Sequence, residues 1–187
     1  AYNTGNPIYL RIGARWNKGR TGSMSNITIQ NMYCEVPAGK PDVGYEYEGP
    51  IEDLPRNISP SSIVGLKGQD ITNVTLKNIH IVYPGNSNPD YAYRGTKPAD
   101  LDSIPEMAAS YPEFSQFKEL PAWGFYVRHA KNVKFENITL TAKGKEYRPA
   151  IVLDDVKSAT FTKMKYEEPG GGKKQVVQYK SSNVTTK

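Results

Sequence analysis

The chain is short of the residues that most often announce a chemistry. Its one cysteine, Cys34, excludes an internal disulfide and has no CxxC partner for a metal, so it reads as a small buried apolar residue. Two histidines, His80 and His129, lie on separate repeat units, and a metal site built on them lacks a third ligand. No metal and no cofactor is expected. Long basic runs are missing and the formal net charge is only +5, which argues against nucleic acid while fitting an anionic partner. Apolar residues reach 37%, and no apolar run approaches the roughly 18 residues of a membrane span. No signal peptide opens the chain; it begins at Ala1-Tyr2-Asn3 without a Met, and reads as a processed product or a piece of something longer.

What is plentiful is Tyr (13), Gly (16) and Pro (14), a mix that suits strands joined by many turns. The chain also repeats itself. Five segments open with a short apolar strand: Pro7–Ile12, Ser61–Leu66, Gly124–His129, Pro149–Asp154 and Gln175–Tyr179. A second strand follows each, as Asn26-Ile27-Thr28-Ile29-Gln30-Asn31-Met32, Asn73-Val74-Thr75-Leu76-Lys77-Asn78-Ile79 and Asn132-Val133-Lys134-Phe135-Glu136-Asn137-Ile138. A looser copy runs Ala159–Met164, and Asn183-Val184-Thr185 closes the series. Ala130, Val156 and Ser181 occupy equivalent turn positions 26 and 25 residues apart. The steps from Asn26 to Asn73 and on to Asn132 are longer, 47 and 59 residues, because loops are inserted at about 37–60 and 84–122.

A unit near 25 residues that grows by stacking, with loops inserted on one side, predicts a single all-β domain over residues 1–187. Its architecture is a right-handed parallel β-helix. Alternation places Val74, Leu76 and Asn78 on one face and Thr75, Lys77 and Ile79 on the other. The Asn-Ile/Met pairs turn corners, since Asn tolerates left-handed backbone, and stacked Asn side chains inside the coil can bond to one another. In the second insertion, Ile104–Ser110 is expected to form one short helix. Asn26, Asn57, Asn73, Asn137 and Asn183 fit Asn-x-Ser/Thr, but four of them belong to the strand pattern, so glycosylation is not implied.

Three stretches carry a resemblance: Leu10-Arg11-Ile12 with its basic turn and Ser25-Asn26-Ile27; Ser61–Leu66 with Asn73–Ile79; and Tyr111-Pro112-Glu113-Phe114 through Leu120–His129. They resemble the C-terminal half of polygalacturonase-like glycosidases, glycoside hydrolase family 28, of the kind used by gut bacteria on plant polysaccharide. The resemblance spans nearly the whole chain. It implies a pectin lyase-like solenoid and inverting, metal-free hydrolysis of galacturonic acid linkages in pectic or other uronate-containing polysaccharide. It also implies a secreted or periplasmic protein. The family's catalytic acids precede an Arg-Ile-Lys motif. Arg11-Ile12 occupies that motif here, with Gly13 in place of the Lys, so the acids are expected upstream of this chain, which alone would be inactive. The other reading is a non-catalytic β-helix that binds carbohydrate or serves as surface structure.

On this resemblance Arg11 is the leading substrate-binding residue, its planar fork suited to a uronate carboxylate. Arg15 offers a second charge from the turn. Tyr9 and Trp16 are candidates to stack on sugar faces, as are Trp123 and Tyr126. Asp154-Asp155 is rejected as a catalytic pair, because adjacent strand residues face opposite ways; Asp154 is expected beside Arg128, one unit earlier, as an exposed pair. His129 is expected to pack structurally beside the turn. Glu46, Glu48, Glu52 and Asp53 read as an acidic, solvated stretch of loop.

Overall fold

The structure, a computed structural model, describes residues 1–16, 20–38, 59–86, 93, 95–171 and 173–187. The acidic stretch Glu46–Asp53 lies outside the described residues. Among those described, eight strands make one curled sheet in which every strand pairing is parallel. They are β1 (Tyr9–Arg11), β2 (Ser25–Glu35), β3 (Ser61–Val64), β4 (Ile71–Tyr83), β5 (Phe125–Ala142), β6 (Ile151–Glu167), β7 (Val176–Tyr179) and β8 (Ser182–Thr186). The two expected insertions fall between β2 and β3 and between β4 and β5.

The register stacks the repeat units one on another. Leu10, Ile63, Val127 and Leu153 form one column. Ile27, Val74, Val133, Ala159 and Val184 form a second, and Ile29, Leu76, Phe135 and Phe161 a third. These columns are the main core: Ile63, Val74, Leu76, Val127, Val133 and Phe135 are fully buried. A parallel pair needs a long connection between its strands, and here one whole repeat unit supplies it. Gly65 marks where two layers close up, since a Cβ there would lie 2.3 Å from the His129 carbonyl oxygen.

Strict alternation fails at the asparagines, and the reason is local. Asn26, Asn31, Asn73, Asn78, Asn132 and Asn137 all have φ between 52° and 58°, the left-handed region. Each spends one residue on a corner and shifts the phase of the strand. Asn78 therefore faces outward, and Ile79 turns into the core at 2% exposure instead of joining Lys77 outside. Ser158 and Lys163 hold the same corners in the looser copy, with φ of 72° and 53°. The asparagines do bond to one another, but on the surface rather than inside. Asn132 donates to Asn73 (2.8 Å) and Asn73 to Asn26 (2.9 Å); Asn137 donates to Asn78 (2.9 Å) and Asn78 to Asn31 (3.0 Å).

This geometry predicts an order of stability. Asn78→Ala should destabilise more than Asn78→Gly, because both lose the ladder but only alanine retains the cost of left-handed backbone, about 1–2 kcal/mol. Urea unfolding of the two variants measures it; equal midpoints would show that the corner does not select the residue.

The second insertion covers the outer face of the sheet. Its helix forms at Pro98–Asp102 (α1), not at Ile104–Ser110. Pro98 supplies a first-turn φ, and Asp100 accepts from the Lys97 backbone N–H at 3.1 Å. Pro105 disfavours helical backbone at Ile104 just before it. Leu101, Ile104, Phe117, Leu120 and Ala122 pack on Val64, Tyr126 and Val152 as a second apolar cluster. Strand β3 and the start of β5, residues 125–130, are thereby buried on both faces, the polar residues Ser61, Ser62, Arg128 and His129 included.

Candidate functional site

Beside β1 the insertion leaves an open cleft of about 340 Å³, lined by Arg11, Gly13, Ala14, Arg15, Trp16, Ser110 and Pro112. Ala14 N–H donates to the Ala108 carbonyl (2.7 Å), so the turn after β1 and the insertion meet backbone to backbone. Trp16 is 81% exposed, and the Arg15 guanidinium carbon lies 4.7 Å from its ring centroid. Tyr111, between Ser110 and Pro112 in sequence, sets its own ring 4.7 Å from the same carbon.

The four residues expected to bind substrate separate here. Arg15 and Trp16 face the cleft. Arg11 lines it too, but both of its Nη groups are engaged: Nη1 donates to the Tyr111 carbonyl (3.1 Å) and to Tyr9 Oη on its own strand (3.4 Å), and Nη2 to the Met107 carbonyl. Its guanidinium also lies over Phe117, 5.0 Å from the centroid. Tyr9 is not among the residues lining the cleft. Its hydroxyl donates to the Glu113 carbonyl at 3.2 Å, its ring meets Phe114 edge-on, and burial raises its pKa against the lowering influence of Arg11. Trp123 and Tyr126 are 1% and 0% exposed, so neither is open to a sugar.

A polar cluster secures the insertion on the far side of Arg11's loop. Glu106 reaches back to the sheet, where its Oε1 accepts from His129 Nε2 (2.9 Å) and meets Arg128 Nη2 (3.0 Å), and its Oε2 accepts from Lys67 N–H (3.0 Å). His129 Nδ1 contacts Asp155 Oδ2 on the next layer at 2.8 Å. Both ring nitrogens are thus committed, and the ring is 7% exposed, so His129 positions the loop rather than serving as a free base. Arg128 Nη1 donates to the Ile104 carbonyl (2.7 Å), and its Nε lies 3.2 Å from Asp154 Oδ2.

Arg128 and Asp154 do sit side by side, as the spacing of the repeat implies, but the pair is buried, at 9% and 3% exposure. The covering insertion makes the difference. Burial raises the Asp154 pKa, and the attraction of Arg128 and the hydrogen bond from Tyr126 (2.9 Å) only partly offset it. Glu106 goes the other way. Burial works against its charge, yet hydrogen bonds from His129 and Lys67 and the nearby Arg128 hold its pKa below the ordinary glutamate value of 4.5.

The sign of the resulting pH dependence follows from linkage. Glu106 contributes stability above its unfolded value of 4.5, and that contribution is lost as pH falls through the lower folded value. Asp154 opposes it, because a raised folded pKa favours the fold at acid pH and loses that advantage as pH rises above 3.8. Glu106→Gln should therefore lower stability near neutrality by less than about 1 kcal/mol, given its exposure, and flatten the acid limb below pH 4.5. Urea midpoints across that range check it; parallel profiles for wild type and variant would count against the clamp.

Sequence reasoning assigned no role to Glu106 or Tyr111. Tyr111 opens one of the stretches that carry the resemblance, but nothing in the spacing says that it returns to Arg15. Among the described residues no group of three His, Cys, Asp or Glu is placed to hold a metal ion, and no helix is long and apolar enough to cross a membrane. Compared with family models, with curated proteins and with solved structures, the chain matches none.

Proposed function

We propose that this chain is the substrate-binding part of a polygalacturonase-like glycoside hydrolase, built as a right-handed parallel β-helix and acting on pectic or other uronate-containing polysaccharide outside the cytoplasm. The stacked parallel layers support a coiled architecture, and the strong general preference of parallel crossovers for the right hand supports the handedness proposed. The observation that carries the functional reading is the cleft itself. It sets the Arg15 guanidinium beside an exposed tryptophan, groups that suit an anionic sugar chain.

Inverting hydrolysis needs two carboxyl groups about 6.5–9.5 Å apart across the scissile bond. Among the described residues, none that lines the cleft is Asp or Glu. The same observation favours the second reading, a non-catalytic β-helix that binds carbohydrate. On both readings the chain alone binds polygalacturonate without cutting it. Affinity electrophoresis in polygalacturonate gels, with Trp16→Ala as control, should show retarded migration that the variant loses. Release of reducing ends by the isolated chain would place the acids within it, and unretarded migration would reject both readings. Asn-Thr-Asp, Asp-Asp and Gly-His-Gly motifs ahead of residue 1 in a parent protein would favour the enzyme.

A further inference from the structure

The two arginines of the cleft are held in opposite ways. Arg11 uses its N–H groups on two carbonyls and a phenol, and that work ties the insertion to β1. Arg15 is held by ring faces alone: its guanidinium carbon is 4.7 Å from both the Trp16 and the Tyr111 centroids. Among the described residues, no carbonyl or carboxylate accepts from it. Stacking on aromatic rings fixes the plane of a guanidinium while leaving its edge of donors available, and this is the state in which Arg binds a carboxylate through two parallel hydrogen bonds.

We infer that Arg15 is the carboxylate-binding group of the cleft and that Tyr111 is the positioning residue that holds it ready. The ligand group is the uronate carboxylate of an acidic polysaccharide; the inference rests on the proposed carbohydrate-binding function and deepens it. Arg11, the stronger candidate by position in the sequence, becomes the anchor of the loop that delivers Tyr111. Its bond to the Tyr111 carbonyl and the bond from Ala14 N–H to the Ala108 carbonyl fix residues 107–111 against residues 11–14. The ring therefore arrives at Arg15 on a backbone already docked, and ligand binding need not bear the full cost of ordering a long side chain. Among the described residues, no acid lines the cleft to compete for the guanidinium.

The test compares trigalacturonate with its methyl ester, which keeps the sugar and removes the charge. Isothermal titration of the full chain should show a preference for the acid of roughly 10- to 100-fold, the range of hydrogen bonds to a charged group. Arg15→Ala should abolish the preference while weak binding of the ester persists. Tyr111→Ala should reduce it, and Tyr111→Phe should restore it, because the ring rather than the hydroxyl does the holding. Tyr111 is 56% exposed, so these variants should fold, and an upfield ring-current shift of the Arg15 side-chain protons, reduced in Tyr111→Ala to the part owed to Trp16, reports the stack without any ligand. An acid preference that survives Arg15→Ala overturns the inference but leaves the site a carbohydrate site. A ring-current shift that Tyr111→Ala leaves unchanged overturns the role of Tyr111. If wild type binds neither ligand, the functional reading fails first and this inference with it.

Discussion

Replacing Arg148 by alanine is expected to cost about 3–5 kcal/mol and to lower the melting temperature by roughly 6–20 °C for a chain of this size. The side chain is 3% exposed, and the carboxylates around it are nearly as enclosed, Glu146 at 1% and Glu119 at 0%. Arg148 donates from Nη2 and Nε to Glu146 Oε2 (2.7 and 3.1 Å) and from Nη1 to the Leu120 carbonyl (3.2 Å), and Nε lies 3.5 Å from Glu119 Oε1. Tyr147 donates to the same Glu119 oxygen. One planar fork thus joins the connection between β5 and β6 to the end of the insertion. Alanine would remove a guanidinium from between two buried carboxylates.

The size of the loss separates two accounts of the network. A buried ion cluster is weak evidence of net stability, but removing a cation from it is costly because the carboxylates that faced it stay buried. Arg148→Met combined with Glu119→Gln and Glu146→Gln should therefore be far milder than Arg148→Ala alone, although it changes more atoms. Arg148→Lys should fall between, since a point charge cannot span both carboxylates and a carbonyl. Urea unfolding followed by the fluorescence of buried Trp123 provides the measurement. A loss below about 1 kcal/mol for the alanine variant would mean that water reaches the cluster.

The stacked repeat was legible because each layer repeats its side-chain grammar. Aliphatic residues at Val74, Val133 and Ala159 fall in one column, as the spacing implies. The faces were less legible. A period of two assigns Ile79 outward, and only the left-handed φ at Asn78, which repeats at Asn31 and Asn137, returns it to the core. The pairing of Arg128 with Asp154 was legible, but the burial of the polar groups was not. Arg128, Asp154 and Arg148 are spaced like surface residues, and what buries them is the packing of segments distant in the chain. The same applies to the cleft. Motif position singles out Arg11, whereas which arginine keeps its donors depends on carbonyls at Met107 and Tyr111, about 100 residues away, as the bonds themselves span 96 and 100.

Phe135→Ala carries the other large expected effect, again about 3–5 kcal/mol, for a different reason. Phe135 sits in the middle of its column, between Leu76 and Phe161, stacked on Phe161 at 4.9 Å and edge-on to Phe125 at 5.3 Å. Stability in a stacked array is a sum of layer and neighbour-interface contributions, so truncation in an inner layer damages two interfaces at once. Phe161 is equally enclosed, at 2% exposure, but lines an open cavity of about 510 Å³ at the end of the sheet with Met164, Tyr166 and Val176. Truncation there widens a space that solvent already enters, rather than opening a closed void whose lining loses its contacts. Phe161→Ala should accordingly cost less than Phe135→Ala. The double variant should show a coupling of about 0.5–1.5 kcal/mol from the lost ring pair. Equal single costs with no coupling would mean that the layers do not exchange energy through this column, and the stacked core would no longer explain why the sheet holds together.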